Sequence, residues 1–252
     1  MPILVAVLAG LAVSQLATLA TTVWLHRALA HRALNVRGPL TFVFRFVVWV
    51  TTGMRPREWV AVHRKHHAFT DTEQDPHSPV QVGVLRVQFA NAAMYRRVAR
   101  DRATVDRYAK DLAPDRWDRV LFDRGWLGLA LGIPFRSLVL GPIYGLLASV
   151  FHMAFYLWMS GAVNALAHHF GRRPYPNSAT NLQWLAFLSG GEGLHNNHHA
   201  APTSARFSLH RGEIDLGWFA IRVFRVLRQV TVRLDKVKFS AAAAASTGNE
   251  PR

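Results

Sequence analysis

Ile3 to Trp24 is an apolar run without a charged residue, about the length that spans a bilayer. It reads as a transmembrane helix, because the basic leader and small-residue cleavage site of a signal peptide are both missing around it. Arg27, Arg32 and Arg37 follow this run, and the positive-inside rule therefore puts its His26 end in the cytoplasm. Leu40 to Met54 is apolar but interrupted by Arg45, and it is shorter than the roughly 20 residues a crossing takes. That length predicts an interfacial or re-entrant segment. Trp126 to Leu166 is apolar throughout and punctuated near its middle by Gly141-Pro142. It predicts a helical hairpin that crosses twice, with Arg136 snorkelling near the outer turn.

Between these segments, Val87 to Leu121 is polar and Arg-rich, with Val98, Val105, Tyr108 and Leu112 at helical spacing, the pattern of cytoplasmic surface helices. Gly212 to Val232 reads as an amphipathic helix. Leu216, Phe219, Ala220, Val223, Phe224 and Leu227 fall near one face, and Arg222, Arg225 and Arg228 lie toward the other. Such a helix lies on a headgroup surface or packs as an ordinary helix on the protein body. No composition break divides the chain, so residues 1–240 form one all-α membrane domain with three crossings, and 241–252, "AAAASTGNEPR" with the alanine before it, form a disordered tail.

The chain has 252 residues and a formal charge of +15, and 26 of its 30 basic residues are Arg. Coding bias explains part of that charge; anionic headgroups, an acidic redox protein or a phosphate-bearing substrate explain the remainder. Nucleic acid is not an expected partner, since long apolar spans accompany the basic surface. There is no cysteine. A disulfide framework, a thiolate zinc site and a Cys-ligated iron–sulfur cluster are thereby excluded, and any metal must be held by nitrogen and oxygen.

Thirteen histidines are present, and their grouping is the main chemical signal. "HRALAH" places His26 and His31 just beyond the first span. "HRKHH" places His63, His66 and His67 at i, i+3, i+4, on one face of a helix, and "HNNHH" repeats the spacing at His195, His198 and His199. "NALAHH" adds Asn164 and His168 at the end of the hairpin. His77, His152, His169 and His210 stand outside these clusters and read as satisfied polar or surface residues. The nine clustered imidazoles exceed what one ion can use, so two ions share them, with Asn164 holding a water on one. "HEXXH" is absent, and "EGLH" supplies a single Glu-x-x-His where carboxylate di-iron bundles use two. A histidine-dominated di-iron site is the best match. Asp71, Asp75 and Glu192 are placed to orient the ring N–H groups, or serve as ordinary caps and surface pairs.

Topology points the same way. If Leu40 to Met54 crossed the bilayer, His26 and His31 would face the side opposite His63, His66 and His67. With that stretch on the interface, and the hairpin crossing twice, all nine histidines meet at one membrane surface.

In "HRALAH", "HRKHHAFTDTEQDPHSP", "NALAHHFGRRPY" and "EGLHNNHH" the chain resembles the membrane-bound fatty acid desaturases of the acyl-CoA (stearoyl-CoA, delta-9) type, in residues, order and separation from His26 to about Ser208. The resemblance implies a bacterial inner-membrane oxidoreductase with its active site on the cytoplasmic side. It implies a non-haem di-iron centre with those nine histidines as ligands and Asn164 acting through water. It also implies O2, two electrons from an external donor, and removal of two hydrogens from a long acyl chain, on CoA or a lipid, to leave a cis double bond. Eukaryotic members carry a helical hairpin before the first box, whereas one span precedes it here, consistent with an outside amino terminus. Where those members have a tryptophan just before the asparagine, this chain has "MSGAVN", with Trp158 earlier. No cytochrome b5-like segment is fused, so the expected donor is a separate ferredoxin-like protein with its reductase, whose acidic surface would suit a basic cytoplasmic face.

An unactivated C–H bond calls for a strong oxidant made from O2 at a metal with open positions, and neutral imidazoles leave the centre more positive than carboxylates would. Arg55 and Arg57, beside Trp59, are candidates to meet the substrate head, or are plain membrane-surface charge. Hydroxylation or oxidative decarboxylation at the same site is the nearest alternative. A metal-binding or transport protein fits less well, since transporters keep ionisable groups along a midplane path.

Overall fold

In the computed structural model, which describes residues 2–233 and 237–239, helix α1 (Pro2–Ala20) runs without a break into a π-helical segment, Thr21–Ala30. The seam that α1 buries is made of small residues, Ala6, Gly10, Ser14 and Ala17, while Ile3, Leu4, Leu8 and Leu16 point outward. Small residues let a neighbouring backbone approach: a Cβ on Gly10 would lie 2.7 Å from the Ala148 carbonyl oxygen. The chain continues through strand β1 (Leu34–Val36), α2 (Gly38–Thr52), α3 (Pro56–Phe69) and α4 (Pro79–Val82) to α5 (Val84–Ala99) and α6 (Arg102–Tyr108). A second π-helical turn, Asp118–Phe122, precedes α7 (Gly125–Leu140), α8 (Pro142–Leu166), α9 (Gln183–Leu188), α10 (His195–Ala200), α11 (Leu216–Val226) and strand β2 (Val230–Val232). Proline stands in the first turn of α2, α3 and α8, where its missing N–H costs nothing.

Among the described residues two helices are long and apolar enough to cross a bilayer: Pro2–Ala30, counting the π segment, and Pro142–Leu166. The hairpin is present, with α7 and α8 packed so closely at Gly145 that a Cβ there would meet the Ser137 backbone. Its first arm, α7, has 16 residues and carries Pro134 inside it. Leu40 to Met54 falls in α2, an apolar helix of 15 residues, and the turn after it. The last turn of α2 sits beside the middle of α1: His152 Nε2 donates to the Thr51 carbonyl (2.9 Å), and Ser14 Oγ donates to His152 Nδ1 (2.9 Å). Ser14 lies twelve residues before His26, about 18 Å of helix. The chain turns at Gly53, in the left-handed region at φ 64°, and α3 climbs back to meet His31 with His63. Arg45, the charge inside the apolar run, pairs with Asp115 and Asp118.

Four expectations need correction. Arg136 does not snorkel; it is buried and donates to Ser149 Oγ at 2.6 Å. Arg27 is fully buried, so the exposed positive charge at this end of α1 belongs to Arg32 and Arg37. α5 is no plain surface helix, because Gln88 and Asn91 bond into α8 at the Trp158 carbonyl and Ser160. The amphipathic helix ends at Val226, and the residues after it form β2, which pairs antiparallel with β1 through Asn35 and Thr231, so the fold is not purely α. Its apolar stripe, with Leu216, Phe219 and Val223, is exposed while Gly217 and Ile221 face the body, an arrangement that leaves the apolar face free for a headgroup surface. The predicted tail, 241–252, lies outside the described residues.

Candidate metal centre

His26 and His31 are five residues apart, a spacing that would turn them about 140° from each other on an α-helix. The π-helical segment removes that difference, since its hydrogen bonds run from i+5 to i. His31 N donates to the His26 carbonyl at 3.1 Å, and the two imidazole centroids lie 4.9 Å apart. On α3, His63, His66 and His67 share one face, and α10 does the same with His195, His198 and His199.

The nine imidazoles gather into two groups. Ligand nitrogens of His26, His31, His63, His67 and His198 lie within 4.8 Å of one another, as do those of His66, His168, His195 and His199. Each HxxHH cluster divides between them. α3 gives its i, i+4 pair to the first group and His66 to the second; α10 gives its i, i+4 pair to the second and His198 to the first. Asn164, at the end of α8, stands with His195 on the wall of the adjoining cavity, its Nδ2 donating to Asn91 Oδ1 at 3.0 Å.

The three acidic residues reach the rings from behind. His26 Nδ1 is 2.6 Å from Glu192 Oε2, His66 Nδ1 is 3.0 Å from both oxygens of Asp75, and His168 Nδ1 is 3.0 Å from Asp71 Oδ2. An ionised carboxylate only accepts, so each of these Nδ1 atoms carries the proton and each Nε2 presents a lone pair. The carboxylates are themselves held. Asp75 accepts from the backbone N–H groups of Asp71 and His77, Asp71 accepts from Ser78 Oγ, and Glu192 accepts from Thr22 Oγ1. Asp71 takes a left-handed conformation, φ 60°, to face His168.

These donors fit metal ions. Within the first group, Nε2 atoms stand 3.0 Å apart for His26 and His198, 2.8 Å for His31 and His63, and 2.9 Å for His198 and His67. In the second, His199 lies 3.4 Å from His66 and 3.2 Å from His195. His26 and His66 turn lone pairs into these contacts, the form in which a ring nitrogen can ligate a cation. Nitrogens each about 2.0–2.1 Å from a shared ion are separated by about 2.8–3.4 Å, from octahedral to tetrahedral angles. The buried Nε2 of His168 has no hydrogen-bond partner among the described residues, as a ligand atom would.

Electrostatics keeps the donors in the right state. Burial, then the neighbouring imidazoles, push His31, His63, His67, His195, His198 and His199 well below the usual histidine range, so they are neutral. Burial alone would raise Asp71, Asp75 and Glu192, but the imidazoles they face lower all three and keep them charged. Neutral imidazole is the form that ligates.

A cavity of about 600 Å³ opens off the cluster, bounded by Thr18, Thr22, Tyr95, Met153 and Tyr156 as well as His26 and His195. That size is usual for a small-ligand site. Arg55 and Trp59 are on its wall, with Trp59 stacked on His63 at 4.9 Å. Arg57 is not; it pairs with Asp106 at 2.8 Å. His77 stacks on His66 at 4.8 Å, outside the two groups of ligand nitrogens, and His152 is the polar bridge of α1, α2 and α8 described above. His210 stacks on Tyr175, and His169 is exposed.

The sequence profile of the fatty acid desaturases matches residues 2–213. The chain belongs to the fatty acid desaturase family. It is 31% identical over 229 residues to the delta-9 acyl-lipid desaturase 2 of Arabidopsis thaliana, covering 84% of this chain and 69% of the relative. It is also 31% identical to the sn-1 stearoyl-lipid 9-desaturase of Synechocystis, covering 82% and 64% of the two chains. An acyl-CoA C20 delta5-desaturase of Anemone leveillei is likewise 31% identical, over 84% of this chain and 68% of its own. This desaturase is thus an oxidoreductase, and it is similar to acyl-lipid and acyl-CoA enzymes alike.

Several residues around the desaturase site carried no sequence signal. Tyr95 and Arg96 fall in the segment read as surface helix, yet both line the cavity. Thr18, Thr21 and Thr22 are uncharged positions inside an apolar span, and Thr21 Oγ1 meets Tyr156 Oη at 2.8 Å across it. Threonines three and four apart on a span, continuing the face of His26, were the available clue.

Proposed function

We propose that this desaturase binds two iron ions through the nine histidines, with Asn164 holding a water on the four-histidine side, and introduces a cis double bond at the delta-9 position of a long acyl chain carried on a lipid or on CoA. The observation that carries the reading is the pair of histidine groups, each a ring of imidazoles, at the head of a cavity. Delta-9 regiochemistry rests on the two relatives named for it.

Iron bound there would supply activation of O2, so that with two electrons from an external donor and two protons from solvent, two hydrogens leave adjacent methylenes and O2 becomes two waters. The chain's own residues do the rest. Glu192, Asp75 and Asp71 fix the tautomers and aim Nε2 inward. The cavity walls hold the acyl chain against the histidines and exclude water. Arg55 and Trp59 face the substrate, whereas Arg57 is committed to Asp106. In the membrane we place the histidines at the cytoplasmic surface, with Arg32 and Arg37 on that side, and α7 as a short third crossing. The electron donor is an acidic, ferredoxin-like protein with its reductase, drawn to the basic face.

The test is expression in a host that lacks the activity, with double-bond location in the extracted lipids by gas chromatography and mass spectrometry. A new internal cis alkene nine carbons from the carboxyl supports the reading. A hydroxylated chain or a terminal alkene without it would replace the reaction assigned here.

A further inference from the structure

Arg27 follows a histidine of the first group and is fully buried, as is Asp215, its partner at 2.8 Å. Its guanidinium lies 3.9 Å over the ring of Phe207, which in turn packs on His26 at 5.4 Å and His198 at 4.6 Å. Asp215 also accepts from the Phe207 N–H (2.8 Å) and the Trp218 N–H (2.8 Å), so one carboxylate grips the arginine, the aromatic ring's backbone and the start of α11. Arg27 donates as well to the Gly190 carbonyl, which accepts from Gly217 N. Glycine is required around this hub. A Cβ on Gly191 would lie 2.3 Å from Asp215 Oδ1, and one on Gly217 would lie 2.4 Å from Arg27 Nη1.

A buried ion pair is costly to desolvate and is retained where it specifies an arrangement. Here every ring that the hub touches belongs to the five-histidine group. We infer that Arg27 and Asp215 are positioning residues for that group, acting through Phe207 to hold His26 and His198, and have no such role in the four-histidine group. This rests on the two-iron reading above.

The test counts iron in purified, detergent-solubilised full-length protein and resolves it by Mössbauer spectroscopy after labelling with iron-57. Wild type is expected to show two signals of equal weight; fewer than two irons would undo the two-iron reading itself. Asp215→Asn and Phe207→Leu are each expected to weaken one site about 10–100-fold, as loss of an outer partner of a ligand does, halving the bound iron and removing one signal. Asp71→Asn, behind His168, should remove the other. Helical content by circular dichroism identifies a variant that fails to fold, and Phe207→Leu, which keeps the ion pair, then decides. Two intact signals in a folded variant, or loss of the same signal as in Asp71→Asn, would overturn the inference.

Discussion

In the five-histidine half of the centre, α3 contributes His63 and His67 and α10 contributes only His198; in the four-histidine half the proportions reverse, with His66 from α3 against His195 and His199 from α10. The remaining members break the symmetry. His26 and His31 come from the π-helical end of α1, and His168 comes alone from just beyond α8, with Asn164 nearby. The supports differ as well. Two carboxylates of one short loop, Asp71 and Asp75, serve the four-histidine half, and they brace each other through the Asp71 N–H. Glu192 and the Arg27–Asp215 pair, drawn from three separate stretches of the chain, serve the other. One half therefore takes its acidic partners from a single loop, although Asp71 reaches across 97 residues to His168, and the other takes them from segments far apart in the chain. The five-histidine half also has three partly exposed members, His31, His63 and His67, whereas His199 is the only such member of its partner group.

The most damaging change to this arrangement is at His66, which belongs to the second group, touches His67 of the first and anchors Asp75. His66→Ala is expected to abolish desaturation, measured as unsaturated product in the expression host; retained product would remove it from the ligand set. Next in size, Asp75→Asn and Glu192→Gln should each weaken metal binding by about 10–100-fold, in opposite halves. Equal loss from both halves in either variant would contradict the assignment of Asp75 to one half and Glu192 to the other. Removing metal with a chelator should lower the thermal midpoint, since ligand present at 100 times its Kd contributes about 2.7 kcal/mol. A midpoint indifferent to chelator and to added iron would speak against metal as part of the folded site.

The smallest effect is expected at Asp111, which accepts from Arg64 (2.5 Å) and Arg32 (2.6 Å) and ties α3 to the chain beyond α6. Hydrogen bonds from Arg64, outweighing burial, hold its carboxyl well below the ordinary carboxylate range. A depressed carboxyl stabilises the fold above its unfolded pKa of about 3.9, and that contribution is lost as pH falls through the lower folded value. Asp111→Asn should therefore flatten the acid side of a stability-versus-pH curve and cost about 0.2–1 kcal/mol at neutral pH. Because α3 serves both halves, iron should fall in both or in neither.

Much of this centre was legible in advance. The i, i+3, i+4 spacing of His63, His66 and His67, and its repeat at His195, His198 and His199, places three rings on one helical face whatever the fold. The absence of cysteine restricts a metal site to nitrogen and oxygen donors. The short, charge-bearing run at Leu40 to Met54 read as too short for a crossing, and the turn at Gly53 after it brings His63 beside His31. Glu192, Asp71 and Asp75 stood beside histidine clusters in the sequence, but only Asp75 faces a ring of its own neighbouring cluster, whereas Asp71 faces His168 and Glu192 faces His26.

Other features had no local cause to read. An i, i+5 pair such as His26 and His31 looks wrong for a helix until the backbone widens into a π segment. Arg27 reads as a cytoplasmic flank charge by composition, and only Asp215, 188 residues away, draws it inward. Gln88, Asn91 and Tyr95 are polar, so their segment resembles surface, yet their partners lie across the bundle on α8 and around the cavity. Val230 to Val232 follows a helical pattern closely enough to extend α11, and pairing with Leu34 to Val36 turns it into strand. Sequence alone determined which residues could hold metal, how each cluster would present them, and which segments were apolar enough for a membrane, because these depend on side-chain chemistry and on the short-range geometry of a helix. Tertiary structure decided how nine imidazoles divide into two groups and which carboxylate stands behind which ring. It also decided where the cavity runs, because those depend on contacts between segments far apart in the chain that no local pattern encodes.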